Sequence, residues 1–282
     1  MRVFIGCETS GMARNAFAAL GHDVLSCDLL PAEDGSDRHI IGDIFATLDA
    51  LARRGWTPDL GILHPTCTFH TLSAAWAFND PDYDRYPGVG YHQKVQPGTL
   101  VGAARREARE LAEADVERIK ALPFKKAIEN PRGTIPTRTS LGNPIDVVQP
   151  NEFGHDASKE TCLWFFDENG NPMPSMALPR DPAKRVVGRM VEWPRGSGIM
   201  VERWGNQTDS GQNNLSPDGE RWKERSRTFP GISNAMAATW CSLERLNSPL
   251  AGLIGSPVLL RLSQRNNRSA TRAHKDQAAF SF

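Results

Sequence analysis

The chain has no excess of either charge. Its 33 lysines and arginines match its 33 aspartates and glutamates. It is therefore no polycation, and any affinity for nucleic acid must come from local positive charge. It also lacks any run of 18 apolar residues, so no membrane-spanning helix and no membrane partner are expected. Cysteine is scarce. The five present, Cys7, Cys27, Cys67, Cys162 and Cys241, are an odd number with no CxxC pair and no zinc-type spacing. A disulfide framework and a metal site are not expected, and the thiols read as reduced groups of a cytoplasmic protein. No internal repeat is present. The opening MRVFIGCETSG enters a strand pattern directly and lacks a signal-peptide layout. The 282 residues, 39% of them hydrophobic, suffice for a substantial core in one or two domains.

What is there is an alternation of strands and helices. Val3–Cys7 is a short apolar run, followed by the turn Glu8-Thr-Ser-Gly11 and by helical spacing from Met12 to Leu20, which Gly21 ends. Asp23–Cys27 reads as a second strand, closed by Asp28, and His39–Asp43 as a third. Ile44–Arg54 reads as a helix, Asp59–Leu63 as a fourth strand, Leu100–Leu122 as a charged amphipathic helix and Lys126–Glu129 as a fifth strand. This order predicts an α/β fold, with a parallel sheet and helices on both faces. Residues 79–99, rich in proline, glycine and tyrosine, read as a long loop, of the kind that is functional or mobile in a compact domain. Beyond about residue 165 the apolar runs shorten and proline, glycine and arginine become frequent. Residues 166–224 are expected to form a smaller irregular unit. Pro230–Trp240 reads as a helix, and the polar, basic chain from Gln264 onward is expected to be disordered.

In a parallel α/β sheet, ligands bind beyond the carboxyl ends of the strands. Polar landmarks stand at five such ends: Glu8 to Gly11, Asp28, Asp43, Cys67 and Glu129-Asn130. Alone, each has an ordinary explanation. A strand-end carboxylate is more often a helix cap, and a lone cysteine is more often packing. Their recurrence at successive strand ends argues for a site.

These motifs resemble those of the cytosine-5 DNA methyltransferases, most closely their short phage-encoded or prophage-type members. The family's Pro-Cys motif after the fourth strand appears as His64-Pro65-Thr66-Cys67, and its Glu-Asn motif after the fifth as Glu129-Asn130-Pro131. The first-strand motif appears as Phe4-Ile-Gly-Cys-Glu-Thr-Ser-Gly11. Arg225–Trp240 looks like the C-terminal segment that returns to the cofactor domain. The resemblance covers residues 1–165 and 225–241. Thr66 replaces the usual second proline, Pro131 the usual valine, and no Gln-x-Arg-x-Arg motif is present. Gly154–Cys162 takes its place, with Lys159 as the basic member.

The resemblance implies a Rossmann-like methyltransferase fold with a small target-recognition region. It divides the chain into a catalytic, S-adenosylmethionine-binding domain (1–165), a recognition region (166–224), a returning helix (225–246) and a flexible tail (247–282). It implies methyl transfer to carbon 5 of cytosine. Cys67 would add to carbon 6, because a thiolate is strongly nucleophilic and leaves again easily. Glu129, with its pKa raised in a closed site, would protonate ring nitrogen 3. Asn130 would hold the loop or the base edge. Gly6, Glu8, Ser10, Gly11, Asp28, Asp43 and Pro65 would surround the cofactor. Asp28 would meet the ribose hydroxyls and Asp43 the adenine amino group, and Gly11 would allow close approach to the methionine part.

The partner implied is DNA, as a duplex with the target base flipped out, bound by a monomer in the cytoplasm of a bacterial host. Loop 79–99 would close over that base, its tyrosines stacking and Arg85 and Lys94 meeting phosphate. A structural loop packed on the core explains it equally well. In 166–224, Arg185 and Arg189 would read guanine or hold phosphate, with Lys159 also facing DNA; a solvated charged face is the plainer account of any single arginine. The amide-rich stretch Trp204–Asn214 reads as a base-contacting loop or a polar turn. His64 and His70 flank Cys67. His64 is expected to pack at the strand end and His70 on the following loop, and a zinc site with Cys67 lacks the usual spacing. A diverged relative that binds and masks DNA without catalysis is the alternative, although a binding module needs neither Cys67 nor Glu129. Amino methylation of adenine or cytosine does not fit the sequence HPTC.

Overall fold

The computed structural model describes residues 1–80, 100–215 and 221–247. The chain divides into two compact units, Met1–Ala237 and Ala238–Phe282; the sheets and cavities described below belong to the first. Residues 81–99, with Arg85 and Lys94, and the tail from 248 onward lie outside the described residues.

A seven-stranded sheet forms the frame. In chain order its strands are β1 (Arg2–Gly6), β2 (Asp23–Asp28), β3 (His39–Ile41), β4 (Leu60–Leu63), β5 (Lys125–Pro131), β6 (Asp146–Val148) and β7 (Thr161–Phe166). Their spatial order is β3-β2-β1-β4-β5-β7-β6. β1 to β5 pair in parallel, and β7 runs antiparallel to both β5 and β6. The expected parallel sheet is therefore mixed, with one reversed strand. The sheet is flanked by helices on both faces, a generic Rossmann-type α/β architecture. The helices are α1 (Met12–Ala19), α2 (Ile44–Arg53), α3 (Gly102–Lys120), the short α4 (Ile135–Arg138) and α5 (Arg221–Ser226), and α6 (Pro230–Asn247).

The apolar runs form buried strands because both faces of the sheet are covered. Phe4, Ile5, Ile62, Leu63 and Ile128 are fully buried, and each such side chain contributes about 1.5–3 kcal/mol through its removal from water. All six residues of β7, TCLWFF, are buried, and the Trp164 indole donates to Gly142 O at 2.9 Å.

Residues 166–224 lie in the first unit and are less irregular than their composition implies. β8 (Arg189–Glu192) and β9 (Met200–Arg203) form a two-stranded antiparallel sheet. Short-range alternation is weak there because the ribbon is largely exposed, with Val187, Met190, Ile199 and Met200 each more than half accessible. No helix of the described residues is long and apolar enough to cross a membrane.

Candidate active site

The register of the sheet builds the site. Cys27, Gly6, Leu63 and Ile128 stand in one row across β2, β1, β4 and β5. The next residue of each strand, Asp28, Cys7, His64 and Glu129, therefore stands at the carboxyl edge. The strand order turns back between β1 and β4, and this is where ligands bind in open α/β sheets. Cys7 there has a left-handed backbone (φ 59°), a conformation that costs a non-glycine residue about 1–3 kcal/mol and clusters at functional sites.

Two cavities open along this edge. The first, of about 240 Å³, is lined by residues including Glu8, Ser10, Cys67, Glu129, Asn130 and Lys159, and by the segment 225–228. The second, of about 220 Å³, is lined by Asp43, Phe45 and Ile119 among others. Cys7, Asp28, Pro65 and Thr66 line both, so the cavities are neighbours across a common wall.

Polar atoms in the first cavity are buried without protein partners. Glu8 Oε2, His64 Nε2, Glu129 Oε1, Asn130 Oδ1 and Thr228 Oγ1 all lack one. Unpaired buried polar groups cost free energy, and their concentration at one cavity points to a polar ligand. The partnered atoms explain how the walls are held. Glu8 Oε1 accepts from the Ser10 hydroxyl and from Met12 N (3.1 Å). Asn130 Nδ2 donates to Pro65 O at 2.9 Å, which ties the end of β5 to the Cys67 turn. That turn is closed by His70 N and Thr71 N donating to Cys67 O at 2.9 and 3.2 Å. Lys159 Nζ donates to Ser226 O (3.3 Å) and Arg227 O (2.9 Å), and Arg227 pairs with Glu33.

Two thiols face the first cavity and differ in environment. Burial, with Asp28 beside it, pushes the Cys7 thiol up to about 12. Burial and Glu129 also push Cys67 up, but Lys159 and Arg225 oppose them. Of the two, Cys67 is the one with cations at hand to support a thiolate. Glu129 departs from expectation. Burial raises its pKa, yet the His64 hydrogen bond and the Lys159 charge outweigh burial and hold the carboxyl below its usual range. His64 Nδ1 lies 3.0 Å from Glu129 Oε2, with both side chains almost wholly buried. The expected upward shift fails because a buried acid with a donor and a cation beside it is better solvated as the carboxylate.

The chain matches no family model and no curated protein.

The structure brings together Cys67, Glu129, Asn130, Glu8, Ser10, Asp28, Pro65 and Lys159 in the first cavity, and Asp43 in the second with Asp28 and Pro65. Gly6 and Gly11 line neither. A Cβ on Gly6 would meet Leu63 Cδ1 at 2.5 Å, and one on Gly11 (φ +73°) would meet Arg14 Nη2 at 2.5 Å. These glycines allow close packing and the entry to α1. Asp43 also caps α2, its Oδ1 accepting from Phe45 N and Ala46 N at 3.0 and 2.9 Å.

Arg185 and Arg189 stand on the β8–β9 region, paired with Glu202 (2.8 Å) and Asp209 (2.6 Å). Many amides of 204–214 are engaged in their own fold: Asn214 Nδ2 donates to Gly205 O, and Asn206 Nδ2 to Ser158 O, at 2.8 and 2.9 Å. His70 is buried against Thr134, 3.4 Å away, and burial lowers its pKa. Among the described residues no group of three or more His, Cys, Asp or Glu side chains is placed to hold a metal ion. Sequence reasoning missed His64 as the partner of Glu129. Its signal was available only through the β4–β5 register.

Proposed function

We propose that the protein is a DNA methyltransferase that transfers a methyl group from S-adenosylmethionine to carbon 5 of cytosine. The observation that carries this reading is the meeting of Cys67, Glu129 and five unpaired buried polar atoms in one cavity at the sheet's switch point. The strand order supports it too. It keeps the 3-2-1-4-5 half of the dinucleotide-binding order but inserts a reversed strand before the last, which sets it apart from a nicotinamide enzyme.

The residues present fit the cofactor. The second cavity offers carboxylates at Asp28 and Asp43 beside apolar Phe45 and Ile119, a setting for a nucleoside. Glu8 Oε2, buried and unpaired, offers an acceptor in the adjoining cavity for an ammonium group. S-adenosylmethionine, when bound, supplies the methyl group to carbon 5.

The chain's own residues perform the rest. The Cys67 thiolate adds its electron pair to carbon 6 of the base and forms a C–S bond. The displaced π electrons move to ring nitrogen 3, which takes a proton from Glu129. Carbon 5 is thereby an enamine carbon, able to receive the methyl group. Water takes the carbon 5 proton, the electrons of that C–H bond re-form the C5=C6 double bond as the C–S bond breaks and the thiolate leaves, and nitrogen 3 returns its proton to Glu129. Lys159 and Arg225 support the thiolate electrostatically. Asn130 holds the Cys67 turn against β5. The target base must leave the duplex for the thiol to reach carbon 6, and the exposed β8–β9 ribbon, with its apolar and arginine side chains, is the recognition surface in this reading.

A second reading, a diverged relative that masks DNA, draws on one observation: at rest Cys67 is held as the thiol and Glu129 as the carboxylate, the reverse of the reacting forms. Bisulfite sequencing of DNA incubated with the protein and S-adenosylmethionine separates the two. Methylation leaves protected cytosines in a fixed sequence context. DNA that is bound yet fully converted decides for the masking relative.

A further inference from the structure

We propose that His64 is the positioning partner of Glu129: its Nδ1–H holds Oε2, so that Oε1 alone meets ring nitrogen 3 of the base and gives up its proton there. This rests on the methyltransferase reading above and adds to it a residue outside the thiol, the acid and the amide.

The geometry carries the inference. His64 and Glu129 each follow the registered pair Leu63↔Ile128, so the parallel ladder places them side by side at the carboxyl edge. The backbone of His64 is fixed as well, its N–H donating to Gly6 O at 2.9 Å. The side-chain contact, 3.0 Å, is made by two residues that are 9% and 6% exposed. One carboxylate oxygen is thus taken. The other, Oε1, is buried, has no hydrogen-bond partner and belongs to a residue lining the first cavity. Lys159 acts on Glu129 by its charge, and the Thr161 hydroxyl, which donates to Lys159 O at 3.3 Å, is a weaker hydrogen-bonding influence on the same carboxylate. Cys67 and Cys162 both feel the Glu129 charge, and Arg225 reaches Cys67.

The chemistry follows. When Oε1 transfers its proton to nitrogen 3, the negative charge left on Glu129 is met by the His64 Nδ1–H already in place, with no rearrangement. On expulsion of the thiolate the same proton returns to Oε1. His64 neither gains nor loses a proton in the cycle. It strengthens the acid by stabilising its conjugate base, and by occupying Oε2 it fixes which oxygen faces the base.

The sign of the pH effect is defined. The reacting form needs protonated Glu129 and the Cys67 thiolate. With Glu129 titrating low and Cys67 high, the population of that form is constant between the two values. It falls below the Glu129 value, where the thiolate is lost without a compensating gain of acid, and above the Cys67 value. The acidic limb of kcat/KM therefore reports Glu129. Removing the His64 donor takes away the largest influence opposing burial and moves that limb to higher pH.

The test compares wild type, His64→Ala and His64→Asn, whose amide nitrogen stands near the position of Nδ1. The carboxyl carbon resonance of Glu129 is titrated without substrate, and kcat/KM for DNA methylation is followed against pH. In His64→Ala both the resonance midpoint and the acidic limb should rise by roughly one pH unit, and His64→Asn should restore both toward wild type. A purely structural role would lower activity evenly at every pH. An active wild type with the same resonance midpoint and limb in His64→Ala overturns the inference while leaving the methyltransferase reading intact. A wild type that transfers no methyl group to DNA overturns the reading, and the inference with it.

Discussion

The carboxyl edge of the sheet and the β8–β9 ribbon hold their polar groups in opposite ways. At the edge, Glu8, Glu129, Asn130 and Thr228 are buried and each keeps one polar atom without a partner. On and beside the ribbon, two arginines are half-exposed and matched: Arg185 with Glu202, Arg189 with Asp209. A buried unpaired acceptor is costly unless a ligand satisfies it, whereas an exposed ion pair is nearly neutral in energy and needs nothing. The edge therefore keeps acceptors that a bound molecule could satisfy, as the proposed reading requires. The two pairs are satisfied as they stand, and any DNA contact by Arg185 or Arg189 must compete with a carboxylate already in place.

Three perturbations sharpen this contrast, in order of falling effect. Glu129→Gln keeps the shape of the edge but removes the proton donor. Methyl transfer should fall by about 10²–10⁴-fold in kcat, with cofactor affinity measured by calorimetry unchanged. A modest loss in kcat would remove Glu129 from the chemistry. Asp43 comes next, because it has two roles that substitution can separate. Asp43→Ala should lower stability by about 1 kcal/mol through the lost cap and weaken S-adenosylmethionine binding. Asp43→Asn should keep the cap and weaken binding alone. Thermal melting and calorimetry on both variants check this, and unchanged affinity in both would make Asp43 a helix cap only. The smallest effect belongs to the ribbon. Glu202→Gln with Asp209→Asn frees two guanidiniums, so the salt dependence of DNA binding should steepen, by up to about 1.8 in log–log slope if both reach phosphate. Stability should change by no more than about 1 kcal/mol per pair. An unaltered slope would take these arginines off the DNA face.

The contrast also shows what could be read from the chain before folding. The first five strands and the helices between them were legible because apolar runs, helical spacing and breakers such as Gly21 act locally. The strand-end landmarks were legible for the same reason. The strand β7 was not, although TCLWFF is an apolar run, because it adjoins a stretch rich in proline and glycine and gives no period to distinguish strand from buried helix. The His64–Glu129 contact joins residues 65 positions apart. It depends on strand register, which no local pattern encodes. The direction of the Glu129 shift was hidden likewise. Burial alone argues upward, and only the neighbours His64 and Lys159 reverse it. The pairing of Arg185 and Arg189 follows from the ribbon's register and the loop after it, so composition showed an arginine-rich segment where the fold has neutral pairs.

The central claim is that Cys67 forms a bond to the target base. The most direct measurement uses duplex DNA with 5-fluorocytosine at the methylated position, incubated with the protein and S-adenosylmethionine and run on denaturing electrophoresis. Fluorine cannot leave carbon 5 as a proton does, so the thiolate is not expelled and the adduct persists. The account predicts a covalent protein–DNA band that requires the cofactor and is absent in Cys67→Ser, with cofactor binding by that variant unchanged. A Cys67→Ser protein that still methylates DNA at the wild-type rate would contradict it.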